Sequence, residues 1–311
     1  MIVIITGIEE STVKDITINV TDGLVGGISG VYSQKLTKCN VENVNITSNG
    51  KFVGGLVGYA YKNDYSNCNV KSSKIITQNS AVGGIVGNAS SGTINVCNVT
   101  DTEIAGKDNG IGGIIGEVSG SPNVTSSNVT NCKIKINGAD AKAVGGIVGN
   151  GYNVKSATGT IDSCIVSGTE ITGIDYVGGI SGVATPNITN CTVEKNTTIT
   201  GTNCVGGIQG FGGIHGMLPI SYVEYTYTGT SSTKTSKSYY DSTQKKLITN
   251  TSDEVSTMSN IDGCTVKNSS IKGTTDVNYI QGKNSYFKDD WTGTKSEDTI
   301  TNSTYESVTL N

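Results

Sequence analysis

The residue types that carry most enzymatic chemistry are scarce in this chain. It contains a single histidine, His215, and no arginine, so every permanently cationic side chain is a lysine. His215 stands in the glycine-rich run Gly212–Gly216, and no His-Glu-x-x-His pattern accompanies it. A lone histidine in such a run is typical of a turn. The sequence therefore predicts neither a zinc-protease centre nor a catalytic histidine.

Carboxylates are the other candidates for chemistry, since polysaccharide lyases and hydrolases built on parallel β-helices need clustered carboxylates, often with Ca²⁺ and a basic residue. The acidic residues that we considered are Glu9 and Glu10, Asp22, Asp101 and Glu103, Asp140, Asp162, Asp175, Asp253 and Glu254, and Asp289 and Asp290. They are scattered, and the chain has no arginine to act as the base. We predict no catalytic residue, no cofactor and no metal site, so the chain is not expected to be an enzyme. A carbohydrate-active β-helix enzyme is the alternative.

Six of the eight cysteines recur at one position of a repeating pattern. They are Cys39, Cys68, Cys97, Cys164, Cys191 and Cys264. Stacked in register, such side chains point the same way, which strains a disulfide, and their spacing of about thirty residues gives no Cys-x-x-Cys pair for a metal. The sequence predicts a structural ladder of reduced, buried thiols, with Ser127 replacing cysteine in one coil and Cys132 displaced. Cys204, off the ladder, is the predicted exposed thiol.

The cysteines belong to an internal repeat. A Val-Gly-Gly-Ile motif or a close variant begins at Val25, Val53, Val82, Ile111, Val144, Val177 and Val205. Between copies come the Cys-x-Val pattern and then an aliphatic residue, namely Ile46, Ile75, Ile104, Ile136, Ile171 or Ile199. Three short strand-like segments per period of about thirty residues are typical of one solenoid coil, because each segment is too small to bury a face alone. We predict an all-β, right-handed, three-sided parallel β-helix of about seven to nine coils.

The paired glycines have a structural role of their own. The first and fourth motif residues are always aliphatic although they have opposite parity on a strand, so the backbone must bend or come very close to a neighbour at Gly26-Gly27 and its equivalents. The fifth residue varies from valine to Ser29, Ser181 and Gln209, which predicts that it faces solvent.

The repeat divides the chain into three parts. Residues 1–216 are the predicted solenoid, 217–258 an insertion or irregular segment, and 259–311 a degenerate coil with a C-terminal cap. The degenerate coil is predicted from Cys264, Val266, Ile271 and Val277. Aromatic residues crowd into this last third, where they predict an aromatic-rich cap over the solenoid end. Their alternative role is a ligand-binding rim, for which Tyr239, Tyr240, Tyr286 and Trp291 are the candidates.

The motif Val53-Gly54-Gly55-Leu56-Val57-Gly58 and its six relatives resemble the GLUG repeat over about residues 11 to 216. This resemblance implies bacterial or protist surface and secreted proteins, adhesins among them. It leads us to expect a non-catalytic structural or adhesive module, extracellular or at the cell surface, with a glycan or host-surface ligand. As a repeat signature, it is specific for fold and says little about function.

Composition narrows the partners. A net charge of −4 and the lack of arginine argue against nucleic acid as a partner. The sequence contains no run of 18 apolar residues, so it predicts no membrane span. The strand-like segments 1–7 and 303–310 are candidates for self-association into a fibre. Threonines hold no single position across the coils, which argues against an ice- or crystal-binding face.

Overall fold

The structure is a computed structural model that describes residues 7–32, 34–138, 142–151, 159–183, 187–212, 237–241, 246–250, 260–283, 286–288, 295–297 and 299–311. Every regular element in these residues is a β-strand, and the strands of the repeat pair in parallel. They stack as a three-sided β-solenoid, as the sequence predicts.

The first sheet contains fifteen strands in two groups. One group precedes the cysteine of each coil: Gly7–Glu9, Lys35–Thr37, Asn63–Ser66, Val86–Asn95, Ile115–Thr125, Thr160–Asp162, Asn187–Thr189, Asn260–Asp262 and Thr299–Thr301. The other ends each Gly-Gly motif: Ser29–Tyr32, Val57–Ala60, Val148–Asn150, Ser181–Val183, Gln209–Phe211 and Gln281–Lys283. The strands Val86–Asn95 and Ile115–Thr125 span both groups.

The second sheet contains sixteen strands and the third contains eight. In the second, nine follow the cysteine position: Thr12–Lys14, Asn40–Glu42, Asn69–Lys71, Asn98–Thr100, Asn128–Thr130, Ile165–Ser167, Thr192–Glu194, Thr265–Lys272 and Thr304–Leu310. The other seven are Thr17–Val20, Asn45–Ser48, Lys74–Thr77, Glu103–Gly106, Lys133–Ile136, Glu170–Thr172 and Thr198–Thr200. The third sheet holds Val25–Gly26, Val53–Gly54, Val82–Gly83, Ile111–Gly112, Lys142–Gly145, Asp175–Gly178, Asn203–Gly206 and Thr275–Asn278.

Equivalent residues of successive coils lie directly above one another. Val25 pairs with Val53, Val53 with Val82, and the register continues to Val277. The core is therefore a set of columns, one of which consists of Val41, Val70, Val99, Val129, Val166, Val193 and Val266, all buried. In the neighbouring isoleucine column the residue opposite Ile104 is Ile134. The prediction that Ile136 is the equivalent of Ile104 was wrong, because Ile136 lies two residues further along the strand and pairs with Gly106.

The chain bends sharply between the two halves of each Gly-Gly motif, as the parity of the aliphatic residues predicts. A Cβ added to Gly83 would lie 2.1 Å from the carbonyl oxygen of Val86, and one on Gly84 would lie 2.1 Å from that of Gly113 in the next coil. Real Cβ atoms do not approach carbonyl oxygens this closely. Only glycine therefore fits at these positions.

The prediction that the fifth motif residue faces solvent was wrong. Val57, Val86, Ser181 and Gln209 are all buried. The bend changes which residues of the motif point inward and which point outward. The side chain of the fifth residue therefore points into the core. The following glycine lies against the backbone of the preceding coil, where a Cβ on Gly87 would be 2.4 Å from the nitrogen of Val53.

The buried glutamine at this fifth position, Gln209, forms a hydrogen bond with a glutamine of the next coil. The Nε2 of Gln281 donates to the Oε1 of Gln209 over 2.8 Å. This bond pairs a donor of Gln281 with an acceptor of Gln209, and such pairing lowers the free-energy cost of placing a polar side chain in the core.

The corners of the solenoid are made by single residues in the left-handed region. At the corner before the cysteine position these are Glu10, Lys38, Asn67, Val96, Ser126, Ser163, Asn190, Gly263 and Asn302. Most are not glycine, so each costs about 1 kcal/mol or more. The cost is offset by hydrogen bonds between coils, such as that from the nitrogen of Lys38 to the oxygen of Ser66 at 2.9 Å.

The repeat resumes after the segment between Phe211 and Asn260. Strand Asn187–Thr189 pairs with Asn260–Asp262, and Val193 lies opposite Val266. Ile271 and Val277 likewise lie opposite Ile199 and Val205 of the preceding coil. In the last coil Tyr305 takes the place of the core valine and stacks on Tyr279, with ring centroids 3.9 Å apart. A cap formed by the aromatic residues remains a prediction.

Replacing Gly83 with alanine tests the close approach. The new Cβ would meet the backbone of both Val86 and Gly116, so the coils must separate, and we expect the free energy of unfolding to fall by about 2–3 kcal/mol. The measurement is the urea midpoint, followed by far-UV circular dichroism.

The matched control is Gly168→Asn. Gly168 has a φ of 58° at a corner where another coil carries Asn131, and its new Cβ would come closer than 3.4 Å only to the flexible Oδ1 of that asparagine. We expect a change within about 0.5 kcal/mol. Equal losses for the two variants would contradict the close-approach argument.

Candidate functional site

A groove of about 700 Å³ follows the second corner of the solenoid, between the two strand groups of the second sheet. Its lining residues are Asp15, Ile16, Thr17, Asn43, Val44, Asn45, Ser72, Ser73, Lys74, Asp101, Thr102, Glu103, Asn131 and Lys133. Four successive coils contribute three residues each and a fifth contributes Asn131 and Lys133, so the groove crosses five coils along the solenoid axis. We call it the corner groove.

Local backbone geometry builds the groove. The first residue of each triplet is a left-handed corner residue, as Asn43, Ser72 and Asp101 are, with φ near 50°. The second turns its side chain inward, and the third begins the next strand with its side chain outward. Two outward rows therefore flank a floor of backbone.

The floor is held by a column of inward hydroxyl groups. The nitrogen of Val44 donates to the Oγ of Ser73 over 3.1 Å, and the nitrogen of Ser73 donates to the Oγ1 of Thr102 over 3.3 Å. In a later coil the nitrogen of Cys132 donates to Thr169 in the same way. Because these amides point into the solenoid, a ligand in the groove would be held by the two rows of side chains.

The rows combine hydrogen-bond donors and acceptors. The Nδ2 of Asn43 donates to the Oδ1 of Asp15 at 2.7 Å, and that of Asn131 donates to Asp101 at 3.4 Å. The remaining hydrogen-bonding capacity of these amides and carboxylates faces solvent. Such a surface suits a polar ligand with many hydroxyl or amide groups.

Glu103 is a groove carboxylate that lies beside two lysines. Its Oε1 lies 2.7 Å from the Nζ of Lys135, and its Oε2 lies 3.7 Å from that of Lys74. The hydrogen bond from Lys135 lowers the pKa of Glu103. A general acid needs the opposite shift, so this carboxylate is suited to binding as an anion and not to donating a proton.

The described residues that line the corner groove include none of the candidates for the predicted aromatic rim. Tyr239 and Tyr240 lie in strand Lys237–Asp241, which pairs antiparallel with Lys246–Asn250. Tyr286 lies in strand Tyr286–Lys288, which pairs antiparallel with Lys295–Glu297. The side chains of these tyrosines, and Trp291 and His215 entirely, lie outside the described residues.

The cysteine ladder lies at the first corner, where all six predicted members are fully buried and free of disulfides. Each thiol donates to the carbonyl oxygen two residues before it, as Cys68 does to Ser66 at 3.4 Å. Ser127 occupies the same column and makes the same bond to Thr125 at 2.9 Å. The column therefore requires a small inward donor, which cysteine and serine both supply.

The two remaining cysteines lie elsewhere. Cys132 belongs to the hydroxyl column beneath the corner groove, where it donates to Thr130 over 3.2 Å. Cys204 was predicted to be exposed, but it is buried beside Tyr176 and Phe211. The prediction failed because Cys204 is itself a corner residue, with a φ of 52°, that packs into a small apolar cluster.

Sequence reasoning missed the hydroxyl column under the groove. Its members Ser73, Thr102, Cys132, Thr169 and Ser269 each follow a ladder position by five residues. Aligning the coils on the cysteine position would have revealed this spacing in five coils, although Val44 stands at the same place in an earlier coil and the hydroxyl of Thr197 follows Cys191 by six residues.

Within the described residues, no group of three or more His, Cys, Asp or Glu side chains is placed to hold a metal ion. The same part of the chain has no helix with the length and hydropathy to cross a membrane.

Comparison of the chain with protein-family models, with curated proteins and with solved structures found no match in any of the three sets. The class of protein is therefore defined by its architecture, a three-sided parallel β-solenoid of repeated coils.

The buried thiol of Cys132 should make stability depend on alkaline pH. Burial raises its pKa from 9.0 to about 11, so the unfolded chain loses this proton first. The stabilisation is fully present below pH 9 and is lost as the pH rises to about 11, amounting to about 2–3 kcal/mol at most.

The test variant is Cys132→Thr, because Thr102 and Thr169 occupy the same column in neighbouring coils. We expect its urea midpoint to fall less than that of the wild type between pH 8 and pH 11, the range that spans the titration. Parallel losses in the two proteins would show that Cys132 does not contribute.

Proposed function

We propose that this chain is a non-catalytic structural and adhesive module of a cell surface or of the extracellular space. The observation that carries the proposal is the unbroken register of the columns, from Val25 to Val277. It supports a stiff rod whose outward side chains repeat about every 4.8 Å, which is an arrangement suited to many weak contacts at once.

The corner groove supports the adhesive part of the proposal. It crosses five coils, or about 19 Å at the usual strand spacing. Its rows carry amides, hydroxyls, two lysines and three carboxylates, a nearly balanced set of charges. We propose a glycan chain as the ligand, because many directed hydrogen bonds and little net charge suit an uncharged, hydroxyl-rich polymer.

The proposed location of the protein is supported by the repeat resemblance, and its proposed self-assembly by the terminal strands. The likeness of Val53–Gly58 and its relatives to GLUG repeats supports a surface or secreted protein. Self-association through the terminal strands belongs to the same proposal, with strand Thr304–Leu310 pairing to Thr265–Lys272 in the chain itself.

A carbohydrate-active enzyme is the second candidate, because three carboxylates, Asp15, Asp101 and Glu103, line one groove. The lowered pKa of Glu103 makes it a poor proton donor. We expect no turnover when the chain is incubated with neutral and acidic polysaccharides, with and without Ca²⁺. Release of reducing ends or of unsaturated products, lost in Asp101→Asn, would overturn the non-catalytic proposal.

Glycan binding in the corner groove is tested with Asn45→Lys on a glycan array. Asn45 lines the groove, and Thr47 is the next outward residue on the same strand but outside the lining. We expect Asn45→Lys to weaken binding about tenfold and Thr47→Lys to leave it unchanged. Equal binding by both variants would place the glycan elsewhere.

A further inference from the structure

A second surface lies on the first sheet, away from the corner groove. From the fourth coil onward the described outward residues nearest the ladder, on the strands that precede it, are threonine, asparagine or aspartate. They are Thr93, Asn95, Asn123, Thr125, Thr160, Asp162, Asn187, Thr189, Asn260, Asp262 and Thr301. We call this surface the Thr–Asn–Asp face.

The face is a regular lattice because its residues are in register. One row runs from Asn95 through Thr125, Asp162, Thr189 and Asp262 to Thr301. The other runs from Thr93 through Asn123 and Thr160 to Asn187 and Asn260. Six coils span about 24 Å, and the two rows lie about 7 Å apart, since outward residues are two positions apart on a strand.

The first row alternates acceptors with threonine donors. The Oγ1 of Thr125 donates to Asn95 over 2.9 Å, and that of Thr189 donates to Asp162 over 2.5 Å. The Oγ1 of Thr301 donates to Asp262 over 2.7 Å. These bonds fix the threonine rotamers before any ligand arrives, so little side-chain entropy is lost on binding.

The chemistry of the face is that of a hydroxyl-binding surface. None of its described positions is a lysine or an aromatic residue, although lysines are spread over the rest of the solenoid. The two carboxylates, Asp162 and Asp262, have pKa values lowered by hydrogen bonds from their threonine neighbours, so they are ionised acceptors. Ionised acceptors form strong hydrogen bonds with donated hydroxyl groups.

We infer that the Thr–Asn–Asp face binds the ordered surface of an uncharged polysaccharide. A repeating, preorganised row of donors and acceptors matches a ligand that repeats as well, and many weak contacts then act together. The charged carboxylates favour a hydroxyl-bearing polymer over ice, because ions hold their own water strongly. This inference extends the adhesive proposal to a site that does not use the corner groove.

The test is a pull-down of the full chain with microcrystalline cellulose and with chitin powder. The variant Thr125→Lys/Thr189→Lys places two long cations on the face and should weaken retention about tenfold. The control Thr100→Lys/Thr130→Lys changes two outward threonines of the second sheet that are equally half-buried, and it should bind as the wild type does.

Circular dichroism and thermal melting check that both double variants are folded. Unchanged retention of the face variant, or no retention of the wild type on either solid, would overturn the inference. Thermal hysteresis of the wild type without retention would identify ordered water as the ligand and would also overturn it. None of these outcomes bears on turnover or on the glycan array, which test the proposed function separately.

Discussion

The separation of about 4.8 Å between hydrogen-bonded parallel strands governs this molecule. At the bend of each Gly-Gly motif the backbone also comes very close to itself and to the next coil, so a Cβ on Gly83 would meet the carbonyl oxygen of Val86 and one on Gly84 would meet that of Gly113. Where side chains stack, each residue must fit the one above it. The repeat in the sequence is the consequence, because a residue that suits one coil suits the same place in the next.

The same spacing determines how the chain can act on other molecules. Each outward residue belongs to a row that runs along the axis, and any site is therefore elongated and assembled from several coils. The corner groove and the Thr–Asn–Asp face are both of this kind. Hydrogen bonds lower the pKa values of Glu103 in the groove and of Asp162 and Asp262 on the face, and both surfaces present repeated hydrogen-bonding groups. Extended binding is the activity that we propose for both surfaces.

The corners of the solenoid accept several residue types at equivalent positions. Left-handed residues there include Val96 and Lys38 as well as asparagines, because hydrogen bonds to the next coil stabilise a conformation that the residue alone disfavours. The residue that follows turns inward. Cysteine and serine share one column, and serine, threonine, cysteine and Val44 share the other, without disturbing the fold.

The sequence by itself determined the class of fold, the coil boundaries, the cysteine ladder and the bend at the paired glycines, because a period of about thirty residues repeats the same steric demands. Only the tertiary structure decided that the fifth motif residue is buried, that Cys204 is covered and that Ile134, not Ile136, continues the isoleucine column. All three outcomes depend on the local direction of the backbone. A bend or a left-handed residue changes that direction, and the residue types alone do not reveal the change. The groove and the Thr–Asn–Asp face likewise emerge only from stacking, since their members lie about thirty or more residues apart in the chain.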